Sequence, residues 1–342
     1  MKMTAMGFRK LSLYLSLAAF LIVLLCFLFS YSSNPTERGP ERRRIVLNTR
    51  STYEMERLKL VEVLKRATMP DRTVILTILD QAWARPGSVL HLFLESFRVG
   101  QGTQKLLNHL VVIAMDSQAF EICNSVLPHC IHPSAFGSNF DTKNQFISNP
   151  NHKLRNHIKN NILLEVLDLG YNIIFTDADV MWFRNPLSHF IPEHELTISC
   201  SFPPSDEQNR GQIPDGGVFF LKANEISSEI FLYWKLLRVL YPDYHIDEPL
   251  CDFIMQNPDL TKTFGMRIAY VSPMYFDGFC QVNKDMSEVY TMHANCCDDL
   301  DSKVQDLRLV LDDWINFTAG SSVNTTSGPL SSSWRAPKKC SG

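Results

Sequence analysis

The sequence lacks any concentration of positive charge. Its 33 lysine and arginine residues are balanced by 36 aspartate and glutamate residues, which gives a net charge of −3 and an isoelectric point near 6.4. Nucleic-acid-binding domains usually carry a basic stripe or patch, so the composition argues against a nucleic-acid partner. The sequence also has no internal repeats, and with 45% hydrophobic and 20% charged residues it has the composition of a globular domain.

Charge is absent altogether from Leu11–Phe29. This stretch is long enough to span a bilayer as a helix. The apolar run is longer than the usual core of a signal peptide, and no clear small-x-small cleavage site follows it, so we predict a retained signal-anchor rather than a cleaved signal peptide. Lys2, Arg9 and Lys10 precede the stretch and favour a cytoplasmic N-terminus, but the basic run at 38–44 follows it, so the charge rule alone leaves the orientation open.

Cysteines and glycosylation sequons favour a lumenal location for the rest of the chain. Of the nine cysteines, Cys26 lies in the apolar stretch, and the even number beyond it permits disulfides in an oxidising compartment. Cys123 with Cys130 is a plausible local pair, and the other pairings stay open. The N-glycosylation sequons begin at Asn316 and Asn324. We therefore predict a cytoplasmic tail (1–10), an anchor (11–29), a stem (30–70), a catalytic domain (71–318) and a flexible tail rich in Ser, Thr, Pro and Gly (319–342).

Apolar runs alternate with helical patterns along the catalytic domain. The runs at 73–78, 110–115 and 171–175 are typical of buried strands. A helix is predicted after Ser88, and another over Lys153–Leu169, with Gly170 at its C-terminal end. Strand, helix and strand in this order predict an α/β fold with a mostly parallel central sheet and right-handed crossovers.

The third predicted strand leads into an aspartate pair, Asp177-Ala178-Asp179. Ligands of open α/β sheets bind beyond the carboxyl ends of the strands, and two carboxylates one residue apart can hold a hard divalent cation. The alternative is an acidic surface turn, although the apolar flanks place these charges where unpaired charge is costly. Because the two carboxylates repel each other, we expect Asp179→Ala to leave the stability of the metal-free protein unchanged or slightly raised.

Other segments, in order, make a family recognisable: Arg72–Thr77, Leu92–Phe97, Asp215–Asn224 and Thr291–Cys297. With the aspartate pair they resemble the plant nucleotide-diphospho-sugar transferase family, glycosyltransferase family 77, which includes Golgi xylosyl- and arabinosyltransferases of cell-wall polymers. The resemblance covers most of the folded chain. It implies a GT-A fold, a UDP-sugar donor, a glycan or glycoprotein acceptor, and a single-pass type II protein of the Golgi membrane that could join Golgi enzyme complexes.

The resemblance also implies roles at the metal site. Asp179 would ligate the metal directly, and Asp177 would contact it through water or touch the ribose. His293 is the third candidate ligand, and a buried core histidine is its structural alternative. Two carboxylates and one imidazole suit Mn²⁺, with Mg²⁺ as the second choice.

Five further residues are candidates for binding the nucleotide. Thr77 and Asp116 lie at or near predicted strand ends, but either could cap a turn instead. Lys153 and Arg155 open a helix near its positive dipole end, where they could reach a pyrophosphate or remain exposed helix charges. Lys303 could serve the same role as these two.

The last candidates lie on the sugar and acceptor side. Gly216 and Gly217 permit close approach to the backbone, or a tight turn. The resemblance places them with Asp215, which we count as a catalytic candidate, beside the sugar or acceptor. Asp247-Glu248 stands where many relatives carry Asp-Gln, and this departure puts the acceptor contacts in doubt.

Together these features predict a metal-dependent glycosyltransferase of the Golgi lumen. It would move a pentose or galactose-type sugar from a UDP-sugar to a cell-wall polysaccharide or glycoprotein, with retention of configuration. One alternative is a GT-A-like binding or scaffold protein, which Glu248 leaves open. The other is a Mg²⁺-dependent phosphatase, because Asp-x-Asp-x-Val after a strand also fits the haloacid-dehalogenase loop, although that loop normally follows the first strand of its domain.

Overall fold

A computed structural model describes most of the chain beyond its N-terminal segment: residues 54–55, 57–132, 152–200, 217–240, 250–280, 282, 285–321 and 333–340. One unit comprises Met1–Glu54, and a second, compact unit extends from Met55 to Gly342. The predicted anchor at 11–29 lies outside the described residues. Within the described ranges, no helix is both long enough and apolar enough to cross a membrane.

The second unit alternates strands and helices. The strands are β1 (Thr73–Leu79), β2 (Leu110–Ala114), β3 (Cys130–Ile131), β4 (Asn172–Thr176), β5 (Val180–Trp182), β6 (Leu196–Ile198), β7 (Val218–Leu221), β8 (Ile268–Tyr270), β9 (Phe276–Gly278) and β10 (Thr291–His293). The helices are α1 (57–67), α2 (Gln81–Ala84), α3 (Val89–Val99), α4 (Ser117–Val126), α5 (His152–Asp168), α6 (Glu225–Leu240), α7 (Leu250–Gln256), α8 (Pro258–Phe264) and α9 (Leu300–Ser321). Two 3₁₀ helices span Gln104–His109 and Pro186–His189.

The central sheet has the strand order β3-β2-β1-β4-β7-β6-β8. Only β7 runs against its neighbours, β4 and β6, while the other pairs are parallel. Strands β1 and β2 are buried along their whole length, as expected for apolar strands covered by helices on both faces. The predicted α/β fold with a mostly parallel sheet is therefore confirmed.

A second, three-stranded sheet has the order β5-β10-β9. In it, β10 runs antiparallel to β5, with His293 opposite Val180, and parallel to β9. The backbone N–H of Ala294 donates to the carbonyl of Asp179 at 3.0 Å. This pairing places the segment around His293 directly beside the end of the aspartate pair.

Helix α1 packs on the central sheet. Its residues Leu60 and Leu64 are fully buried, in the same hydrophobic cluster as Leu76 of β1 and Val111 of β2. The compact unit thus includes residues that we predicted to belong to the stem, because the apolar face of this helix covers one face of the sheet.

Among the described residues there are four disulfides: Cys123–Cys130, Cys200–Cys251, Cys280–Cys296 and Cys297–Cys340. The predicted local pair Cys123–Cys130 is confirmed. The adjacent residues Cys296 and Cys297 fasten the loop after β10 to two different parts of the chain.

Residues 333–340 fold back onto α9 and the core, so the prediction of a flexible tail is wrong for this segment. The buried carboxylate of Asp306 accepts the backbone N–H groups of residues 338–340 at 2.8–2.9 Å. The Trp334 ring stacks on Phe183, with centroids 5.3 Å apart. The composition of this segment predicted mobility, but the hydrogen bonds to Asp306 and the stacking of Trp334 hold the segment in place.

We predict that Asp306→Asn lowers the free energy of unfolding by about 2–4 kcal/mol, because a neutral amide replaces a charged acceptor of three backbone donors. Denaturant unfolding of the full chain would measure the loss. Asp301→Asn is the matched control: it lies on the same helix with its side chain 84% exposed, and it should cost less than about 1 kcal/mol. Equal losses in the two variants would contradict the anchoring role of Asp306.

Candidate metal centre

The aspartate pair forms the turn between β4 and β5. The backbone N–H of Asp177 donates to the carbonyl of Gly217 at 2.8 Å, and that of Val180 donates to the carbonyl of Asp177 at 3.2 Å. Asp179 is only 3% exposed, whereas the side chain of Asp177 is 37% exposed. One carboxylate of the pair is therefore buried, and the other reaches the surface.

The three predicted metal ligands come together. Asp177, Asp179 and His293 each offer one ligand atom, and these atoms lie within 4.8 Å of one another. The Nε2 atom of His293 is 3.2 Å from Oδ1 of Asp179. Two carboxylate oxygens and one imidazole nitrogen are a donor set that fits a divalent transition metal such as Mn²⁺.

Gly217 makes room for His293. A Cβ atom at this position would lie 2.5 Å from Nδ1 of His293 and 2.7 Å from Cε1, closer than non-bonded atoms approach. We predicted that a ligand approaches this glycine, and the group that does so is the imidazole of His293. Any side chain at position 217 would displace that ring.

Lys303 lies on the buried carboxylate. Its Nζ is 2.5 Å from Oδ2 of Asp179 and 5.1 Å from the centroid of the Trp83 ring. The residue lies in the first turn of α9, with its side chain 11% exposed. We predicted a pyrophosphate contact for Lys303, and the structure shows it paired with a predicted metal ligand.

The surroundings of Asp179 favour its ionised form. Burial alone would raise the pKa of this carboxyl, but the positive charges of His293 and Lys303, together with their hydrogen bonds, outweigh burial and hold the pKa well below its usual range. Our expectation for Asp179→Ala changes accordingly. Because Asp179 has oppositely charged partners, its removal would leave the Lys303 ammonium buried without its carboxylate and lower stability.

Sequence reasoning missed Lys159. This residue of α5 holds its Nζ 3.7 Å from Oδ1 of Asp177 and 3.9 Å from the centroid of the Phe175 ring. Lys159 follows Arg155 by four residues, and such residues share a helix face. That spacing is the signal that could have identified it.

The loop after β10 is fixed by covalent and polar contacts. Cys296, with φ 53°, adopts a left-handed conformation that is uncommon outside glycine, and it is joined to Cys280. Oδ1 of Asn295 accepts the backbone N–H of Cys280 at 3.0 Å. His293 is thus held between a paired strand and a cross-linked loop.

Two predicted nucleotide contacts are not supported by their positions. Thr77 lies inside β1, two residues before its end, and is fully buried. Asp116 caps α4 by accepting from Ala119 at 2.8 Å, and its other oxygen accepts from Gln81 at 2.8 Å. The stated alternative of a capping role describes Asp116, whereas Thr77 is a buried residue of the strand.

Several candidates fall outside the described part of the chain. These are Asp215, Gly216 and Asp247-Glu248, together with the side chains of Lys153 and Arg155, whose backbone lies in α5.

Comparison with known proteins adds the family context. Residues 105–307 match the nucleotide-diphospho-sugar transferase family. The chain is 35% identical over 295 residues to an uncharacterized protein of Arabidopsis thaliana, covering 86% of this chain and 77% of that protein. It is 26% identical over 148 residues to the Arabidopsis UDP-D-xylose:L-fucose alpha-1,3-D-xylosyltransferase MGP4, covering 39% of this chain and 40% of that enzyme.

Among solved structures, the chain is similar to mouse xyloside xylosyltransferase 1. The identity is 12%, the coverage is 66% of this chain and 98% of that one, and the TM-score is 0.38.

We predict that Gly217→Ala weakens Mn²⁺ binding by about 10–100-fold, because the added methyl group displaces the His293 ring from the other two ligands. Calorimetric titration with Mn²⁺ would measure this loss. Gly265→Ala is the control: Gly265 has a positive φ of 70°, and nothing lies within 4 Å of its Cβ position. The control should lose some stability and no metal affinity. Unchanged Mn²⁺ affinity in Gly217→Ala would remove His293 from the site.

Proposed function

The chain belongs to the nucleotide-diphospho-sugar transferase family and is a glycosyltransferase of the nucleotide-sugar type, and from this premise we propose its substrates and metal dependence. It moves a pentose or galactose-type sugar from a UDP-sugar to a cell-wall polysaccharide or glycoprotein, on a GT-A framework and with retention of configuration. The observation that carries this proposal is the convergence of Asp177, Asp179 and His293 within 4.8 Å, where β4 ends.

Asp177, Asp179 and His293 would hold the metal, Mn²⁺ or Mg²⁺. Such an ion, when bound, neutralises the charge that develops on a departing diphosphate. The buried Asp179 fixes the position of the site, and the more exposed Asp177 faces the side from which a nucleotide would enter. His293 supplies the nitrogen donor that favours Mn²⁺ over the hardest cations.

Two lysines would bind the diphosphate. Lys303 and Lys159 each contact one carboxylate of the pair, so both ammonium groups lie at the carboxyl end of β4, the side where ligands bind in open α/β sheets. Lysine acts on phosphate as a compact point charge. With these two groups the site offers positive charge to an anionic donor as well as carboxylates to a cation.

The UDP-sugar and pentose assignments are supported by the family and by the xylosyltransferase relative, whose name gives UDP-D-xylose as its donor. We propose that Asp215 and Gly216 line the sugar or acceptor side. The phosphatase alternative loses support, because the aspartate pair follows β4, which comes after β1, β2 and β3, rather than the first strand of the domain. The activity test below separates this transferase from a binding or scaffold protein.

For location, we propose a single-pass type II protein of the Golgi membrane, anchored by residues 11–29, with its catalytic domain in the lumen and with access to other Golgi enzymes. Four disulfides support this proposal, because disulfides persist in oxidising compartments. The sequon residue Asn316 is exposed on α9 and is open to modification.

We predict that the full-length protein, assayed with Mn²⁺ against a panel of UDP-sugars, releases UDP with one sugar class and an acceptor. Asp179→Ala should reduce this release by at least about 100-fold, since the buried ligand is lost. The Asp301→Asn control should keep the parent rate. Normal transfer by Asp179→Ala would contradict the metal role. Mn²⁺-dependent UDP binding without release from any sugar would indicate a binding protein.

We also predict N-linked glycan on Asn316, Asn324 or both, because these sequons would face the lumen in the type II orientation. Digestion of the microsomal protein with an endoglycosidase should lower its apparent mass, and the double variant Asn316→Gln, Asn324→Gln should show no shift. The orientation would be reversed if neither asparagine is modified and if protease added to sealed vesicles digests the catalytic domain.

A further inference from the structure

Both oxygens of the Asp179 carboxylate are contacted by nitrogen atoms of other side chains. Lys303 contacts Oδ2 at 2.5 Å, and His293 contacts Oδ1 at 3.2 Å. Asp179 is only 3% exposed, so these partners, rather than water, surround the charge. A divalent ion on Asp179 would lie within a few ångströms of the Lys303 ammonium, where like charges repel strongly in a buried setting.

The two partners differ in their freedom to move. His293 lies on β10, paired with β5, and its ring packs against Gly217. Lys303 reaches the carboxylate through a flexible four-carbon side chain from the first turn of α9. The Trp83 ring, 5.1 Å from its Nζ, offers the ammonium a second contact on α2, which follows β1. Of the two partners, Lys303 is the one that can leave.

We propose that Lys303 and the divalent cation compete for Asp179, and that the donor diphosphate relieves this competition by giving Lys303 another anionic partner. This inference rests on the proposed metal and UDP-sugar site and adds its regulation. It follows that metal and nucleotide bind with positive coupling: each raises the affinity of the protein for the other by the same factor. The metal alone binds weakly, and the site assembles fully only when a diphosphate is present.

The geometry makes Lys159 the natural comparison. Its ammonium is 3.7 Å from Asp177, the more exposed carboxylate of the pair, whereas Lys303 lies at hydrogen-bond distance from the buried one. The attraction at the exposed carboxylate is screened by water. Lys159 should therefore compete with the metal far less than Lys303 does.

The experiment titrates chelator-treated, full-length protein with Mn²⁺ by calorimetry, with and without saturating UDP. Without UDP, Lys303→Met should bind Mn²⁺ about 10-fold more tightly than the parent protein. The factor by which UDP raises the Mn²⁺ affinity should be about 10-fold smaller in Lys303→Met than in the parent protein. A factor of ten corresponds to about 1.4 kcal/mol. Lys159→Met should change Mn²⁺ affinity by less than about 3-fold. Lys262→Met, on an exposed residue of α8, controls for net charge and should change nothing.

A second variant and a second measurement keep the test decisive. Lys303→Arg keeps the positive charge and should retain weak Mn²⁺ binding without UDP. In thermal unfolding, Mn²⁺ should raise the midpoint of Lys303→Met by more than that of the parent, since tighter binding stabilises the folded state more. The parent protein provides a test that does not depend on the folding of Lys303→Met. If UDP leaves the Mn²⁺ affinity of the parent protein unchanged, the inference is wrong.

The outcomes separate this inference from the proposed function. If Lys303→Met binds Mn²⁺ no more tightly than the parent while Asp179→Ala loses Mn²⁺ binding, the metal site stands and the competition is wrong. If Asp179→Ala binds Mn²⁺ with the parent's affinity, the proposed metal site itself fails, and the competition fails with it.

Discussion

The rest of the site depends on one constraint, which is that the Asp179 carboxylate is buried and must be compensated by positive charge. A charge this far from water is costly unless it is paired and hydrogen-bonded. Its partners, His293 and Lys303, lie far along the chain, 124 residues away for Lys303. The turn between β4 and β5 therefore stays in place only if β10 and α9 are brought to it, so the electrostatics of one side chain tie together distant parts of the fold.

The C-terminal part of the chain meets this requirement through fixed contacts. Strand β10 is only three residues long, which is too short to be stable without further contacts. Disulfides join the loop after it to Cys280 and to Cys340. The segment around Cys340 is in turn held by Asp306 of α9. The elements that deliver His293 and Lys303 are thus fastened to one another as well as to the core, and the apparent tail becomes part of the support of the site.

Local sequence patterns predicted the features of the fold that are determined by residues close together in the chain. The buried strands, the aspartate pair and Gly170, which has φ 76° at the end of α5, follow from apolar runs and turn chemistry. The partners of Asp179 were harder to predict, because ion pairing across the fold leaves no local signal; His293 entered through a family motif. Gly217 indicated a close approach without showing that His293 makes it. The prediction of a flexible tail from composition is wrong for residues 333–340, because an average over residues does not detect a single packed side chain such as Trp334.

The buried ion pair of Asp179 and Lys303 is better explained by ligand binding than by a contribution to stability. Attraction within a buried ion pair is largely offset by the cost of removing both charges from water, so apolar residues of similar size would stabilise a fold as well or better. The same segment shows that apolar packing is available, because Trp182 stacks on Phe97 and Phe183 on Trp314. Against that apolar background, Asp179 and Lys303 contribute little net stability. Their position where β4 ends, beside His293 and Asp177, matches the role that we propose for them, in which the two charges exchange partners with a cation and a diphosphate.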